Sequence, residues 1–423
     1  LELDQIIHGN TLSVLNTLPS ESIDCVITSP PYWGLRSYST NGQVWLSPNG
    51  DSDCEHVWGD ELPKRGNSNF DSWDKYQTYG HNGGPMGAGK GWAGKDGTHG
   101  AYCQLCNAWR GELGLEPNFQ LYIEHLQTIF DEVYRVLKKT GTCWVDIGDT
   151  YASNGNGSVP TKSLCNIPHR FAISMTDSGW IQRNTIIWHK PSCMPSSAKD
   201  RFTVDFEYVF LFSKNKKYYF EQQFEAQTEG SLERGKYANH RNLKKFDNNK
   251  EQLVTNAQNM FNDIDMQIIL PNGRNKRTVW CINPQPFKDA HFAVFPEKLV
   301  EPMIKAGCPS AICDSCGYVY TPIQTPTGNR IPTGHPRKSK RGGHLNTGGV
   351  NGSCFTDCKK NETVLEYIKC NCNAPTHAGV VLDPFVGSGT TALVARKLGR
   401  HYIGIDLNED YCEMANKRLS EVL

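Results

Sequence analysis

Two short runs of this chain carry residue types that can do chemistry. The first is Thr28-Ser29-Pro30-Pro31-Tyr32-Trp33, which follows the apolar stretch Cys25-Val26-Ile27. Adjacent prolines fix the backbone and cannot donate, so nearby carbonyls are left as free acceptors. Tyr32 beside them is expected to present an exposed, flat π-face. Free carbonyls next to a stacking ring suit the exocyclic amino group of a planar base; the plain alternative is a rigid turn with surface aromatics. The second run, Asp383-Pro384-Phe385-Val386-Gly387-Ser388-Gly389-Thr390-Thr391, follows Val380-Val381-Leu382. An apolar strand entering a glycine turn that opens a helix points backbone N–H groups at whatever lies above the strand end. Glycines there let a ligand approach the main chain. Further on, Tyr402-Ile403-Gly404-Ile405 ends in Asp406, where a carboxylate can take the two hydroxyls of a ribose. The loop lacks the G-x-G-x-x-G pattern and the P-loop lysine, which disfavours dinucleotides and ATP.

The cysteines suggest a different chemistry. Of 16, seven lie between Cys308 and Cys372. Both C-x-x-C pairs, Cys103/Cys106 and Cys313/Cys316, are followed by loop-like sequence, unlike a redox motif at a strand-to-helix junction. Cys54, His56, Cys103 and Cys106 make a set of three sulfurs and one imidazole suited to structural zinc. The alternative is a reduced pair with an unrelated Cys-x-His. In the second cluster, Cys313 and Cys316 pair most simply with Cys370 and Cys372; a set using Cys354 or Cys358 is the alternative. About two zinc ions are expected, neither of them catalytic. Cys25, Cys143, Cys165, Cys193, Cys281 and Cys412 read as small buried hydrophobes.

The elements that must position these groups are legible in the patterning. A short element, a helix and a strand fill residues 5–30. Residues 41–116 are rich in Gly, Asn, Asp and Trp, with Gly83 to Gly89 among them; so long a loop is improbable unless something local ties it. Helical spacing resumes from Leu121 to Lys138, Gly141 is expected to stop that helix, and Thr142 to Ile147 follows as a buried strand. A helix at Ile167 to Ser178, strands at Ile181 to Trp188 and Tyr208 to Phe212, and a helix near Glu297 to Lys305 come next. The end returns to strand, glycine loop, helix and strand. No apolar run approaches the length of a membrane span, and the start lacks the features of a signal peptide.

Together these residues carry a resemblance. The chain resembles S-adenosylmethionine-dependent DNA amino-methyltransferases of the order in which the catalytic motif precedes the cofactor motif. Ser29, Pro30, Pro31 and Tyr32 match the catalytic tetrapeptide. Asp383, Phe385, Gly387, Ser388, Gly389, Thr390 and Thr391 match the cofactor loop, and Asp406 matches the ribose-binding acid. His8-Gly9-Asn10 to Asp24 is similar to the adenine-side segment, with Asn10 where an acid often stands. Ile187 to Pro191, with Arg201 and Glu207 beyond, resembles the target-base motif; this implies a pocket of Trp33, Trp188, Lys190 and Arg201. His291 to Pro296, with Phe295, resembles the segment against the methionine end of the cofactor. The resemblance covers about half the chain. It implies a base flipped from the duplex onto Tyr32, with its amine bonded to the Ser29 hydroxyl and the Pro30 carbonyl for in-line attack on a sulfonium methyl. The proton then leaves after transfer. Serine at the first position leans towards cytosine N4, with adenine N6 as the alternative.

The expected fold is α/β, a doubly wound, mostly parallel, Rossmann-like methyltransferase sheet with zinc-stapled insertions and a target-recognition region. Catalytic segments are expected at 1–40, 118–220, 291–307 and 376–423, zinc-binding insertions at 41–117 and 308–375, and target recognition at 221–290. Arg234, Lys236, Arg241, Lys244, Lys245, Arg274, Lys276 and Arg277 are candidate phosphate contacts, as is the basic run at 335–341. The 44 Lys+Arg and 44 Asp+Glu cancel, yet their clustering allows a basic face and an acidic back, so neutrality does not exclude DNA. The expected partners are double-stranded DNA and a separate cognate restriction endonuclease, with no membrane; the expected location is the cytoplasm of a prokaryote or of a phage host. Rival readings are an RNA or protein amide N-methyltransferase, and a zinc-ribbon DNA-binding protein with a vestigial catalytic domain.

Overall fold

The computed structural model describes residues 1–34, 42–46, 53–62, 100–152, 159–225, 274–285, 295–324 and 365–421. Two compact units divide the chain. The first comprises Leu1–Glu221, Thr278–Val319 and Ala374–Leu423; the second comprises Gln222–Arg277 and Tyr320–Asn373.

The first unit begins with β1 (Gln5–His8), α1 (Thr11–Thr17) and β2 (Ile23–Thr28). Three short strands follow, β3 (Gln43–Trp45), β4 (Ala101–Tyr102) and β5 (Trp109–Gly111), paired antiparallel in the order β3-β5-β4. Then come α2 (Phe119–Val136), β6 (Leu137–Ile147), α3 (Ile167–Asp177), β7 (Ile181–His189) and β8 (Phe206–Ser213). The second unit contributes β9 (Phe224–Glu225) and β10 (Arg274–Asn275), paired antiparallel. The chain returns to the first unit with β11 (Val279–Cys281), α4 (Glu297–Gly307) and β12 (Ile312–Cys313). In the second unit β13 (Thr321–Gln324) pairs antiparallel with β14 (Leu365–Ile368). The first unit closes with β15 (Thr376–His377), β16 (Val380–Asp383), α5 (Thr390–Lys397), β17 (His401–Asp406) and α6 (Glu409–Ser420).

Eight strands form the central sheet in the order β1-β17-β16-β2-β6-β8-β7-β11. Every pairing is parallel except those of β8, which runs against both β6 and β7. The inner strands β2 and β16 are buried along their whole length, which is why they read as continuous apolar runs rather than alternating ones. Beyond a register shift between Ile23 and Cys25 of β2, successive side chains still face opposite ways. Ile23 and Val26 of β2 enter the core layer that holds the α2 and α3 side chains Leu126, Phe130 and Phe171. Cys25 and Ile27 enter the layer that holds Leu299 and Ile304 of α4 and Leu393 of α5. From β16 the chain winds to β17, on the β1 side, whereas β2 pairs with β6 on the other. Such a reversal opens a crevice at the carboxyl ends of the two strands.

Helix starts follow side-chain caps. Asn10 Oδ1 accepts from the Ser13 amide at 3.1 Å and Asn118 Oδ1 from the Leu121 amide at 2.8 Å, satisfying donors that lack a partner in the first turn. One boundary differs from expectation. α2 ends at Val136, and Gly141 lies inside β6 rather than at the helix end. Leu137 is already extended and pairs with Ile23. The glycine is needed for close approach, because a Cβ there would lie 2.6 Å from the Leu137 side chain and 3.0 Å from the Asp24 carbonyl. Two cysteines also depart from the buried reading: Cys193 is half-buried and Cys281 exposed. Among the described residues no helix is long and apolar enough to cross a membrane.

Candidate active site

The carboxyl ends of β17, β16, β2 and β6 lie on one edge of the sheet, and the start of the reversed strand β8 joins them there. The two chemical motifs of the sequence meet at this edge. Thr28, the last residue of β2, donates its hydroxyl to Asp383 Oδ1 at 2.7 Å, and Thr391 of α5 donates to Asp383 Oδ2 at 2.7 Å. The Phe385 amide adds a third donor at 3.1 Å. Asp383 therefore ties the glycine loop to the strand that carries Ser29.

Burial pushes the Asp383 carboxyl up to about 6, against the opposing effect of its hydrogen bonds from Thr391, Thr28 and the Phe385 amide. A carboxyl raised on folding is stabilised in its protonated form, so its contribution is full below about pH 4 and is lost as pH rises through about 6. Asp383→Asn should flatten the fall in folding stability between about pH 4 and about pH 6. Denaturant unfolding of both proteins across that range checks this; identical slopes would contradict it.

Gly387 and Gly389 both have positive φ, 50° and 82°. A Cβ on Gly389 would lie 2.7 Å from the Ala415 Cβ of α6, whereas one on Gly387 would meet nothing within 4 Å. The first glycine thus leaves open space above the loop and the second permits helix packing beneath it. Asp406, at the end of β17, accepts from the Gly387 and Asn408 amides, each at 2.9 Å. Burial raises its carboxyl above the ordinary range. Ser388 and Thr390 are buried and receive a clamp that the sequence motifs did not reveal. Arg418 of α6 donates to the Ser388 carbonyl at 2.6 Å, the Ser388 hydroxyl at 2.9 Å and the Thr390 hydroxyl at 3.1 Å. Asn10 caps α1, its side-chain amide meets Gln43, and the preceding Gly9 amide donates to the Asp406 carbonyl at 2.9 Å. Phe385 and Phe295 are partly buried against the two core layers. The open space over Gly387 beside a strand-end carboxylate fits a ribose-bearing cofactor.

The Ser29–Tyr32 turn has its own network. Ser29 Oγ donates to Tyr32 Oη at 3.2 Å, and Tyr32 Oη donates to Glu207 Oε2 of β8 at 3.1 Å. Glu207 Oε1 pairs with Lys190. Tyr32 is half-buried rather than fully exposed. Its ring lies against Gly148, where a Cβ would be only 2.6 Å from the tyrosine Cε2. Asp146 of β6 is 4% exposed, and its Oδ1 has no hydrogen-bond partner among the described residues. Burial first, and then the neighbouring Glu207 carboxylate, push its carboxyl well above the usual range. The same burial, with Asp146 and Glu207 nearby, raises the Tyr32 phenol. The expected pocket aromatics stand behind this network. Trp33 and Trp188 are each 3% exposed, with indole nitrogens donating to the Glu116 and Ile282 carbonyls. Lys190 Nζ lies 4.2 Å from the centre of the Trp188 ring, and the Arg201 guanidinium stacks at 3.6 Å on Tyr151.

Cys54, His56, Cys103 and Cys106 come together, with their ligand atoms all within 4.8 Å of one another. Cys313 and Cys316 lie on a tight turn of the first unit, closed by the Gly317 amide on the Cys313 carbonyl at 2.9 Å. Cys370 and Cys372 belong to the second unit. Within that unit Arg277 Nε pairs with Glu225 at 2.6 Å, and Lys276 is partly buried beside them. Arg274 begins the short strand β10. Arg234, Lys236, Arg241, Lys244, Lys245, the 335–341 run, Cys354 and Cys358 lie outside the described residues, as do His291 to Val294.

A doubly wound sheet with a glycine loop, a strand-end acid and a Pro-Pro-Tyr turn on one edge is a methyltransferase fold. Residues 23–311 and 329–417 match the DNA methylase family of N6 and N4 methyltransferases, and the chain belongs to that family. It is 26% identical to the Type II methyltransferase M.SmaI of Serratia marcescens, over 98% of this chain and 90% of the relative. Identity to the Type II methyltransferase M.SfiI of Streptomyces fimbriatus is 28%, over 95% of this chain and 88% of the relative. Among solved structures, the PvuII DNA methyltransferase (cytosine-N4-specific) aligns with a TM-score of 0.46 and 16% identity, over 98% of this chain and 85% of that one.

Proposed function

We propose that this protein is a sequence-specific DNA methyltransferase that transfers the methyl group of S-adenosylmethionine to cytosine N4 of a flipped-out base. The observation that carries the reading is the Thr28–Asp383 hydrogen bond of 2.7 Å, which joins the Ser29–Tyr32 turn to the glycine loop at one strand edge. Cofactor and target amine are thereby brought to adjacent strand ends. Serine at the first position of the tetrapeptide supports cytosine over adenine, by the family resemblance.

Asp406 would take the ribose hydroxyls, the loop at Gly387 would lie under the cofactor, and Asn10 and Phe295 would flank its two ends. When bound, the cofactor supplies an electrophilic sulfonium methyl. The chain's own residues do the rest. Tyr32 stacks on the flipped base, with Trp33 and Trp188 backing the pocket and Lys190 and Arg201 at its rim. The Ser29 hydroxyl gives its hydrogen to Tyr32 and so keeps its lone pairs for the amine N–H, alongside the Pro30 carbonyl. This localises the nitrogen lone pair and aligns it for attack. Once the nitrogen has become acidic, Ser29, Tyr32 and Glu207 form a path along which its proton can leave. Oδ1 of the Asp146 carboxyl, which has no hydrogen-bond partner among the described residues, supplies a polar contact for the base edge, since a buried polar atom calls for a partner.

The basic residues from Arg234 to Arg277 are proposed phosphate contacts, zinc is proposed on the two cysteine sets, and the chain segments given above are proposed as its domains. A cognate restriction endonuclease is the partner expected of a Type II enzyme, acting with it in the cytoplasm of a prokaryote. Labelled methyl groups offered in parallel with DNA, RNA and protein should go to DNA. Labelling of RNA or of protein amides instead would remove this reading.

A further inference from the structure

The three strands β3, β4 and β5 are only two or three residues long, too short to be independently stable. Yet they bury Trp45 and Trp109, and the catalytic turn leans on what these two rings support. Cys54 Sγ lies 3.9 Å from Cys103 Sγ, and Cys106 Sγ lies 3.3 Å from His56 Nδ1. Zinc bonds of about 2.3 Å to sulfur and about 2.0 Å to nitrogen give tetrahedral edges of about 3.5–3.8 Å, so these separations are those of a ligand shell. The Leu105 amide points at Cys103 Sγ at 3.4 Å, and Asn107, with φ 60°, closes the turn by donating to the Cys103 carbonyl at 3.0 Å. Amides directed at sulfur favour thiolates, the form that binds metal.

From this turn a chain of contacts runs to the catalytic loop. Cys103 bridges to Trp58, and the adjoining Tyr102 pairs with Trp109 in β5, which in turn pairs with Trp45 in β3. Both tryptophans stack on His125 of α2, at 4.2 Å and 14° for Trp45 and 5.4 Å and 20° for Trp109. His125 Nδ1 meets Glu116 Oε1 at 3.0 Å, and the glutamate side chain is wholly buried. Glu116 Oε2 accepts from the Gly114 amide at 2.8 Å, and the Glu116 carbonyl accepts from Trp33 Nε1 at 3.0 Å. Gly114 in turn accepts from the Gly34 amide at 2.6 Å. The C-terminal side of the turn containing Tyr32, at Trp33 and Gly34, is thus held by Gly114 and Glu116. A buried acid with several fixed partners holds its geometry only while all of them are present.

We infer that a zinc ion held by Cys54, His56, Cys103 and Cys106 positions the Ser29–Tyr32 turn through Trp45, Trp109, His125 and Glu116. The effect on turnover rests on the methyltransferase reading; the metal site and its coupling to the turn do not. The test measures zinc per chain, amide exchange at Gly34, Gly114 and Leu382, cofactor affinity and DNA turnover in the wild type, Cys106→Ser and Cys106→His. In Cys106→Ser, zinc should fall by one equivalent and exchange at Gly34 and Gly114 should rise about tenfold or more, with Leu382 unchanged. Turnover should fall about tenfold or more through misplacement of the turn, while cofactor affinity stays within about twofold. Histidine at 106, an alternative zinc ligand, should restore all of these.

Should Cys106→Ser fail to fold, Trp109→Leu leaves the four ligands in place. It should keep its zinc and still lose protection at Gly34 and Gly114. Zinc lost with those amides and turnover unchanged would overturn the inference, as would a wild type with no zinc at this set. A wild type inactive on DNA would instead strike the methyltransferase reading, and the zinc and exchange measurements would still decide this one.

Discussion

Alanine at Tyr32 should slow single-turnover methyl transfer by about 10- to 100-fold and leave cofactor affinity nearly unchanged, because base–aromatic stacking contributes about 1–3 kcal/mol. The ring is half-buried and lies against Gly148, and its hydroxyl stands between Ser29 and Glu207. Removing it takes away both the proposed platform for the base and the hydrogen-bonded path from Ser29 to the glutamate. None of these partners belongs to the glycine loop, so the cofactor side should not respond. Rapid-quench kinetics on DNA and calorimetry of cofactor binding separate the two effects. Equal losses in both would mean that Tyr32 serves the fold rather than the base.

Asp406→Ala should give the opposite pattern. Two hydroxyls bonded to a charged acceptor contribute about 1.5–3 kcal/mol each, so cofactor affinity should weaken by about 100-fold or more. The carboxylate also holds the Gly387 and Asn408 amides, and its loss should loosen the loop as well as remove the proposed ribose contacts. With saturating cofactor the transfer rate should stay within about fivefold, since nothing at the Ser29–Tyr32 turn has changed. Titration calorimetry and rates at high cofactor concentration test this. Unchanged affinity would place the ribose elsewhere. The pair of variants forms a double dissociation, which no general loss of stability can imitate.

The features legible in the sequence were those written locally. An apolar strand running into Pro-Pro or Gly-x-Gly announces a functional strand end, because the backbone constraint lies in consecutive residues. The period of α2 is local in the same way. What the sequence could not reveal is contact across long separations. Glu207 reaches Tyr32 over 175 positions and Arg418 reaches Ser388 over 30. Asp146 looks like one more acid at a strand end, and only its burial beside Glu207 marks it out. Gly141 was misleading because glycine ends helices and also admits close packing within strands. Trp33 and Trp188 were expected in the target-base pocket, and both are 3% exposed; aromatic type alone does not distinguish a lining ring from a backing one. Cys281 likewise is exposed on the edge strand β11, a position that residue type does not encode.

Recognition of a particular DNA sequence is proposed to fall to the basic residues from Arg234 to Arg277. Arg277 already pairs with Glu225, so its engagement with a phosphate would require exchange of one anion for another. The central claim is simpler than site recognition and concerns one atom, the acceptor nitrogen. Its most direct measurement is mass spectrometry of the nucleosides released from DNA after incubation with the protein and isotopically labelled S-adenosylmethionine. The account predicts labelled N4-methylcytosine, lost in Ser29→Ala and Tyr32→Ala. Labelled N6-methyladenine would contradict the assignment to cytosine, and DNA carrying no label would contradict the function itself.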